Sequence, residues 1–350
     1  MLKNLGITIG IILIIIFIAI GSFVKSFNMP NSSAEEELKI LIESGQGVKQ
    51  IATKLEENEL IKKTSRFSYY IWFKGWGEKL QAGEYTLSKN MSIAEIAERI
   101  ATGQTESNEN IIKIIEGWDI SEIGHYLETQ GMFQAEELME LVGFPKIDYR
   151  LNKKMPTPKD FSAEYSFLAD KPKYYNLEGY LFPDTYRVFK DATIEDVVKK
   201  MLSNFDKKIT AEMRAEINRQ GKTVYEILTL ASIIEKEVVD PEEMKMISDI
   251  FYKRIKDGIA LQSDATVNFI THKGTTRPSL DDLAVDDPYN TYKYRGLPPG
   301  PIANPGLAAI EAAIYPTTNS YYYFLTTPEG EAIYSKTYNE HLTNQYNYYK

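Results

Sequence analysis

The feature that most restricts this chain is an uncharged apolar run near its beginning. Residues 5–24 read LGITIGIILIIIFIAIGSFV, 20 residues without an ionisable side chain. As a helix the run would be about 30 Å long, which matches the hydrocarbon core of a bilayer. A cleaved signal peptide has a shorter apolar core and a small-x-small cleavage site, and this run has neither. The sequence therefore predicts a retained single transmembrane anchor over residues 1–28.

Charges on the two sides of this run predict its orientation. Lys3 and the α-amino group precede it, and Lys25 follows it before the acidic residues 35–37. The positive-inside rule then favours a cytoplasmic N-terminus. We expect a single-pass protein of the cell membrane, in contact with the lipid bilayer through residues 5–24. A polar linker over 29–37 would join the anchor to an extracytoplasmic remainder.

The composition excludes several classes of protein. With 40 basic and 49 acidic residues the formal net charge is −9, which argues against a nucleic-acid partner. The absence of cysteine removes thiol catalysis and cysteine-based zinc sites. His125, His272 and His341 lie too far apart for a zinc-protease motif. We expect no metal and no cofactor, so an enzyme of this composition must rely on carboxylates.

An apolar pattern recurs three times in the N-terminal half. Apolar residues at i, i+3, i+4 and i+7 predict short amphipathic helices that start at Val48, Ile93 and Ile120. Ser92, with Glu95 three residues later, predicts a capping box for the second helix. Residues 80–87 alternate like a strand. The pattern over 38–108 resembles LysM-type glycan-binding modules, which implies a small α/β unit there.

The segment 176–186 (NLEGYLFPDTY) combines carboxyl groups, a glycine, a proline and aromatic rings. Gly179 and Pro183 oppose a regular helix. Aromatic faces beside carboxylates are typical of sugar-binding clefts, which makes Glu178 a candidate substrate-binding residue. A loop that packs in the core explains the same residues equally well.

A predicted helix over 224–237 carries the candidate catalytic residues. It is apolar over more than half of its circumference, so we expect it at the centre of its domain. Glu235 and Glu237 lie over apolar residues near its end, and burial there should raise their pKa values, as a general acid at neutral pH requires. Being two residues apart, they point in different directions, so one is expected to be catalytic and the other structural. A buried acid without a catalytic role is the alternative for each.

The segments that follow supply candidate groups for holding a sugar. Asp240 and Pro241 predict the start of a helix that runs to Gly258. Residues 261–266 and 287–292 then present polar groups on turn-like backbone. The candidate substrate-binding residues in them are Gln262, Asp264, Tyr289 and Asn290.

The last third of the chain contains a rigid loop and a hairpin. The loop 296–306 is rich in proline and glycine, and Asn304 is predicted to cap a helix that starts at Pro305 and runs to about Ile314. Residues 321–326 and 332–335 are predicted to pair as a hairpin.

Five strings in this order resemble the endolytic murein transglycosylases, the MltG or YceG-like family. They are LEGYLFPDTY (177–186), LTLASIIEKE (228–237), LQSDATV (261–267), YNTY (289–292) and GLPPGPIANPG (296–306). Any one of them would be a weak signal, whereas five at similar spacing are a strong one. The resemblance implies an α+β protein whose catalytic domain spans 109–350 and has a lysozyme-like glutamate site.

The same resemblance implies a reaction. It is the cleavage of the β-1,4 bond between N-acetylmuramic acid and N-acetylglucosamine in nascent peptidoglycan strands. The product ends in a 1,6-anhydro ring, and elongation of the strand stops. The family's catalytic glutamate corresponds to Glu237, and membrane-bound peptidoglycan synthases are the expected protein partners. The alternative is a membrane-tethered scaffold that binds peptidoglycan without cleaving it.

Overall fold

The computed structural model describes residues 26–348 except 31, 33–34, 104–108, 275–277 and 328–329. The predicted membrane anchor at 5–24 lies outside these residues. Within the described part of the chain, no helix is both long and apolar enough to cross a membrane. The chain divides into two compact units, one ending at Asn110 and the other beginning at Ile111. The anchor, linker, glycan-binding and catalytic assignments of the segments remain predictions.

The first unit is a two-stranded sheet with three helices. Strands β1 (Glu37–Ile42) and β2 (Gly83–Ser88) pair antiparallel. Helices α1 (Val48–Glu57) and α2 (Thr64–Lys74) connect them, and α3 (Ile93–Thr102) follows. Ser92 caps α3 in the predicted capping box. The strand predicted from residue 80 begins only at Gly83, and the likeness to a LysM module stays a prediction.

The second unit is mainly helical, with two small sheets. Strand β3 (Glu109–Lys113) pairs with β4 (Thr185–Phe189), and β5 (Tyr323–Thr326) pairs antiparallel with β6 (Ala332–Ser335) as the predicted hairpin. Before the candidate site the helices are α4 (Ile120–Thr129), α5 (Ala135–Val142), α6 (Ile194–Lys208) and α7 (Ala211–Arg219). The rest are α8 (Val224–Ile234), α9 (Pro241–Lys256), α10 (Asp264–Thr271), α11 (Leu280–Leu283), α12 (Leu307–Ile314) and α13 (Tyr338–Tyr348). The mixed α+β class is as expected.

Helix α8 lies in the core, as its sequence predicts, but it ends early. Every residue from Ile227 to Ile234 is buried. The helix stops at Ile234, and the next three residues form a turn. The N–H of Glu237 donates to the carbonyl of Ile234 (3.0 Å), an i to i−3 bond that tightens the chain. Glu237 therefore lies beyond the helix rather than in its last turn, which corrects the predicted helix over 224–237.

Asn304 was expected to be a helix cap, and this is wrong. Helix α12 starts at Leu307 with Gly306 as its N-cap. Asn304 is fully buried. Its Oδ1 accepts from the N–H of Leu181 (2.9 Å), while its Nδ2 donates to Glu178 (2.8 Å) and to the carbonyl of Trp118 (3.0 Å). The side chain thus bridges three segments of the core, a long-range role that no local cap pattern reveals.

Two further expectations are met. Asp240 caps α9 by accepting from the N–H groups of Glu242 and Glu243 (both 3.0 Å). The segment 176–186 packs in the core, because its residues from Asn176 to Pro183 are buried. Of the two interpretations of that segment, the core-packing loop is therefore the one observed.

Candidate active site

A cleft of about 1930 Å³ opens in the second unit beside the turn that follows α8. Its walls include that turn, the start of α4, the buried side of α9, the start of α10, the strand β5 and the C-terminal helix α13. Polar lining residues include Lys236, Glu237, Arg254, Gln262, Ser263, Asp264, Asn268, Tyr292, Tyr323 and His341. The cleft thus joins the predicted site residues Glu237, Gln262 and Asp264 from the EKE and LQSDATV strings, while the YNTY string contributes Tyr292.

Glu237 is the acid that faces this cleft. Its side chain is half-buried, and its Oε1 accepts a hydrogen bond from the Ser263 hydroxyl (2.5 Å). Burial raises the pKa of Glu237 to about 7, although the Ser263 hydrogen bond and the charge of Arg254 act in the opposite direction. A large share of this carboxyl is therefore protonated at neutral pH and has a proton to donate.

Glu235 does not line the cleft. Its Oε2 accepts from the N–H of Gly306 (2.9 Å), the residue that precedes α12. Burial raises the pKa of Glu235 to about 7 as well, and the nearby Glu116 raises it further. The carboxyl therefore ties the end of α8 to the start of α12. The turn at 235–237 sends the two acids in different directions, and a shared catalytic pair is not formed.

Gln262 lies on the cleft surface in a strained backbone conformation. Its φ of +53° falls in the left-handed region, which is uncommon for residues with a side chain. The N–H of Gln262 donates to the carbonyl of Thr291 (3.1 Å), and its Oε1 accepts from Arg254 Nη2 (2.7 Å). Binding of a sugar by Gln262 stays a prediction that its exposure permits.

Asp264 also lines the cleft, but it opens helix α10 instead of lying in a turn. Its Oδ1 accepts a hydrogen bond from the Tyr292 hydroxyl (2.5 Å). The negative charge of Asp264 raises the pKa of Glu237. Asp264 therefore contributes to keeping the neighbouring acid protonated, while its predicted contact with sugar stays a prediction.

Tyr289 and Asn290 are buried behind the cleft wall. Tyr289 is 6% exposed, and its ring packs against Phe269 with 5.2 Å between centroids. Asn290 has no exposed surface, and its Nδ2 donates to the carbonyls of Leu283 and Val285 (3.0 and 2.8 Å). Sugar binding by these two side chains stays a prediction, and their burial argues against it.

Glu178 is likewise an interior residue, with 1% of its surface exposed. Both of its oxygens accept from the N–H of Ile120 at the start of α4 (3.2 and 3.1 Å). Burial raises its pKa well above the usual range. Glu178 thus joins the start of α4 to Asn304, and direct contact with substrate does not fit this position.

No group of three His, Asp or Glu residues in the described part of the chain is arranged to hold a metal ion. The cleft offers a carboxyl group with a raised pKa, Glu237, beside a hydroxyl, an arginine and a second carboxylate.

The chain matches one family of known proteins over most of its length. The model of the YceG-like family matches residues 40–347. The chain belongs to the YceG-like family. An endolytic murein transglycosylase of Bacillus subtilis is 33% identical over 325 residues, which are 92% of this chain and 88% of that protein. An endolytic murein transglycosylase of Streptococcus pneumoniae is 32% identical over 329 residues, which are 90% of this chain but 59% of that protein.

A solved structure gives the same family. The 2.6 Å crystal structure of a putative yceG-like protein from Listeria monocytogenes is 33% identical. It superposes with a TM-score of 0.56 and covers 89% of this chain and 100% of that one. The family resemblance read from the five strings is therefore confirmed.

The polar cleft residues that sequence reasoning missed include Ser263, Tyr292 and Arg254. Ser263 lies between the predicted substrate-binding residues Gln262 and Asp264, and nothing about a serine in this sequence marks it as a site residue. Tyr292 ends the YNTY string, in which Tyr289 and Asn290 are the predicted substrate-binding residues. Arg254 had a usable signal, because it stands on the buried face of α9 three residues after Phe251.

Proposed function

We propose that this chain is an endolytic lytic transglycosylase that cuts peptidoglycan between N-acetylmuramic acid and N-acetylglucosamine, with Glu237 as its catalytic carboxyl. Relatives that cover about nine-tenths of the chain bear the name endolytic murein transglycosylase. The observation that carries the catalytic assignment is the position of Glu237, half-buried in the large cleft with a pKa of about 7. A scaffold that only binds glycan has no need for such an acid.

The first step uses Glu237 as a general acid. The protonated carboxyl donates its proton to the glycosidic oxygen as the bond from that oxygen to C1 of the muramoyl sugar breaks. The electron pair of the bond leaves with the oxygen, which becomes the free 4-hydroxyl of N-acetylglucosamine. The muramoyl centre acquires oxocarbenium character, which its own 2-acetamido oxygen relieves.

The second step uses the same group as a base. The C6 hydroxyl of the muramoyl sugar attacks C1, and the Glu237 carboxylate takes the hydroxyl proton. A 1,6-anhydro ring closes, no water is consumed, and Glu237 regains the protonated form with which it started. The Ser263 hydroxyl donates to the carboxylate and stabilises it between the two steps. Closure of the ring on a nascent strand ends its elongation.

Activity should therefore fall as the pH rises above neutrality. Cleavage starts from protonated Glu237, and with a pKa of about 7 its protonated fraction falls about tenfold per pH unit well above that value. Initial rates of anhydro-end release from purified peptidoglycan between pH 5 and 9 measure this dependence. Glu235→Gln should give the same descending limb, since Glu235 does not reach the cleft. A wild-type rate that still rises at pH 9 would contradict the assignment.

The location of the protein is part of the same proposal. Peptidoglycan and its membrane-bound synthases lie outside the cytoplasm, so the cleft must be there as well, with residues 5–24 as the anchor. Protease added to intact spheroplasts should digest the region after the anchor, while a cytoplasmic marker protein stays intact. Protection of that region until the membrane is permeabilised would contradict this topology.

A further inference from the structure

Arg254 is a buried cation without an ion-pair partner in the described part of the chain, although its guanidinium lies over the ring of Tyr323 (5.4 Å from Cζ to the ring centroid). Its side chain is 5% exposed, and its Nε has no hydrogen-bond partner in the described part of the chain. The preceding Lys253 pairs with Asp249 (2.7 Å), whereas no ion pair joins Arg254 to any described carboxylate. Burying a charge without a counter-charge is costly, so a reason for its presence is required.

The contacts of Arg254 lead to the catalytic acid. Its Nη2 donates to Gln262 Oε1 (2.7 Å), and Gln262 has the left-handed φ of +53°. The next residue, Ser263, donates its hydroxyl hydrogen to Glu237. Arg254 thus holds the strained residue that directs the Ser263 hydroxyl at the acid. Strain of this kind persists only where the surroundings enforce it, and it is common at functional sites.

We propose that Arg254 is a positioning residue for Glu237. The charge of Arg254 stabilises the Glu237 carboxylate that forms after the first proton transfer, and its hydrogen bond to Gln262 holds Gln262 and Ser263 in place. This inference rests on the proposed function. In the protonated form from which the reaction starts, Glu237 is neutral and gives Arg254 no counter-charge. Once the proton has moved, the two form a pair of opposite charges in a partly desolvated cleft. The stabilisation is therefore greater after proton transfer than before it, which is the condition for lowering the barrier.

Other ionisable groups in the cleft also influence the pKa of Glu237. Besides Glu237 and Arg254, the ionisable residues that line this cleft are Lys236, Asp264, Tyr292, Tyr323 and His341, with Asp119, Glu122 and His125 at the start of α4 and His272, Tyr338, Tyr346 and Tyr348 elsewhere on its wall. Asp264 raises the pKa of Glu237 and Arg254 lowers it. Burial, with the charge of Arg254, lowers the pKa of His341, which disfavours its charged form. Arg254 is therefore the cation that opposes Asp264 and burial at this acid.

The test is the pH dependence of the full chain in detergent, measured for Arg254→Met and Arg254→Lys. In Arg254→Met the pKa of Glu237 should rise, because a stabilising positive charge is gone. The descending limb of the rate profile should move up by about one pH unit, while the maximal rate falls about tenfold or more. Arg254→Lys keeps the charge but loses the planar fork, so its limb should stay at the wild-type position with a reduced rate.

Two control variants separate the possible failures. His341→Gln removes a titratable cleft group and should leave the position of the limb unchanged. Glu237→Gln should be inactive both with the native Arg254 and with either Arg254 substitution. An Arg254→Met limb at or below the wild-type position, or an Arg254→Lys limb that moves up, would overturn the role of Arg254 while leaving the proposed function intact. Wild-type activity in Glu237→Gln would overturn the catalytic role of Glu237 in the proposed function, and no cleavage by the wild type would overturn the proposed function itself. If Arg254→Met fails to fold, Arg254→Gln takes its place, since glutamine also removes the charge but can still donate a hydrogen bond, and a limb that does not move up in this variant would overturn the role of Arg254.

Discussion

Replacing Glu237 with glutamine should abolish cleavage of peptidoglycan without harming the fold. A positioned general acid contributes about 10²–10⁴-fold in rate. Because this group also serves as the base for ring closure, the loss should lie at the upper end of that range or beyond it. Release of anhydro ends from purified sacculi measures the effect.

The stability of the same variant provides an independent check. The pKa of Glu237 is raised from 4.5 to about 7 in the folded state. The folded state therefore binds the proton more tightly than the unfolded state, and the stability it gains is lost as the pH rises from about 4.5 through 7. A neutral glutamine removes this loss, so the Tm of Glu237→Gln at pH 8 should equal or exceed that of the wild type. An inactive variant with a much lower Tm would leave misfolding as the explanation.

Glu235→Gln is the matched control. Its amide oxygen can still accept from the N–H of Gly306, and the side chain lies outside the cleft. We expect this variant to keep most of its activity. If Glu235→Gln is inactive and stable while Glu237→Gln remains active, the roles of the two acids are reversed. If both remain active, the single-acid mechanism is wrong.

The largest expected effect on stability belongs to Asn304. Its replacement with alanine leaves the buried N–H of Leu181 without a partner and removes a donor to Glu178. A cost of about 3 kcal/mol is expected from buried groups left unsatisfied. In a unit of this size that corresponds to a fall in Tm of roughly 6–12 °C. Differential scanning calorimetry of the full chain measures it.

Asn218→Ala is the control for this effect, because Asn218 is exposed near the end of α7. Alanine favours a helix more than asparagine does, so its Tm should stay the same or rise slightly. A Tm of Asn304→Ala equal to that of Asn218→Ala would show that Asn304 does not hold the core together.

Local patterns predicted those parts of the fold that depend on near neighbours. The capping box at Ser92, the Asp240 cap of α9 and the β5–β6 hairpin are all set by residues within a few positions, and all are present. The predicted end of α8 is wrong because the helical spacing of Val224, Leu228 and Ala231 extends to Glu235. In the structure the helix ends at Ile234, and the hydrogen bonds that follow are those of a turn. Periodicity does not report this change in hydrogen bonding.

The sequence predicted those properties of the candidate site that depend on a residue and its near neighbours in the chain. The sequence predicts raised pKa values for Glu235 and Glu237 from apolar neighbours on a helix, and burial does raise both, although the two residues lie in a turn beyond that helix. The division of roles between them depends on Ser263 and Gly306, which lie far away in sequence. For the same reason Tyr289 and Asn290 were chosen from a polar string although the fold buries them. Contacts between residues distant in sequence decide the roles of these four side chains, and a single sequence does not show which distant residues are in contact.

The central claim is that the glycan bond is broken by transfer to the sugar's own C6 hydroxyl, with Glu237 as acid and base. Mass spectrometry of the products formed from purified peptidoglycan in H₂¹⁸O tests it most directly. We predict new 1,6-anhydro ends without ¹⁸O from the wild type and none from Glu237→Gln. Reducing ends that carry ¹⁸O would show a hydrolase that uses water, and the absence of any new ends would show a protein that binds peptidoglycan without cleaving it. Either result would contradict the mechanism.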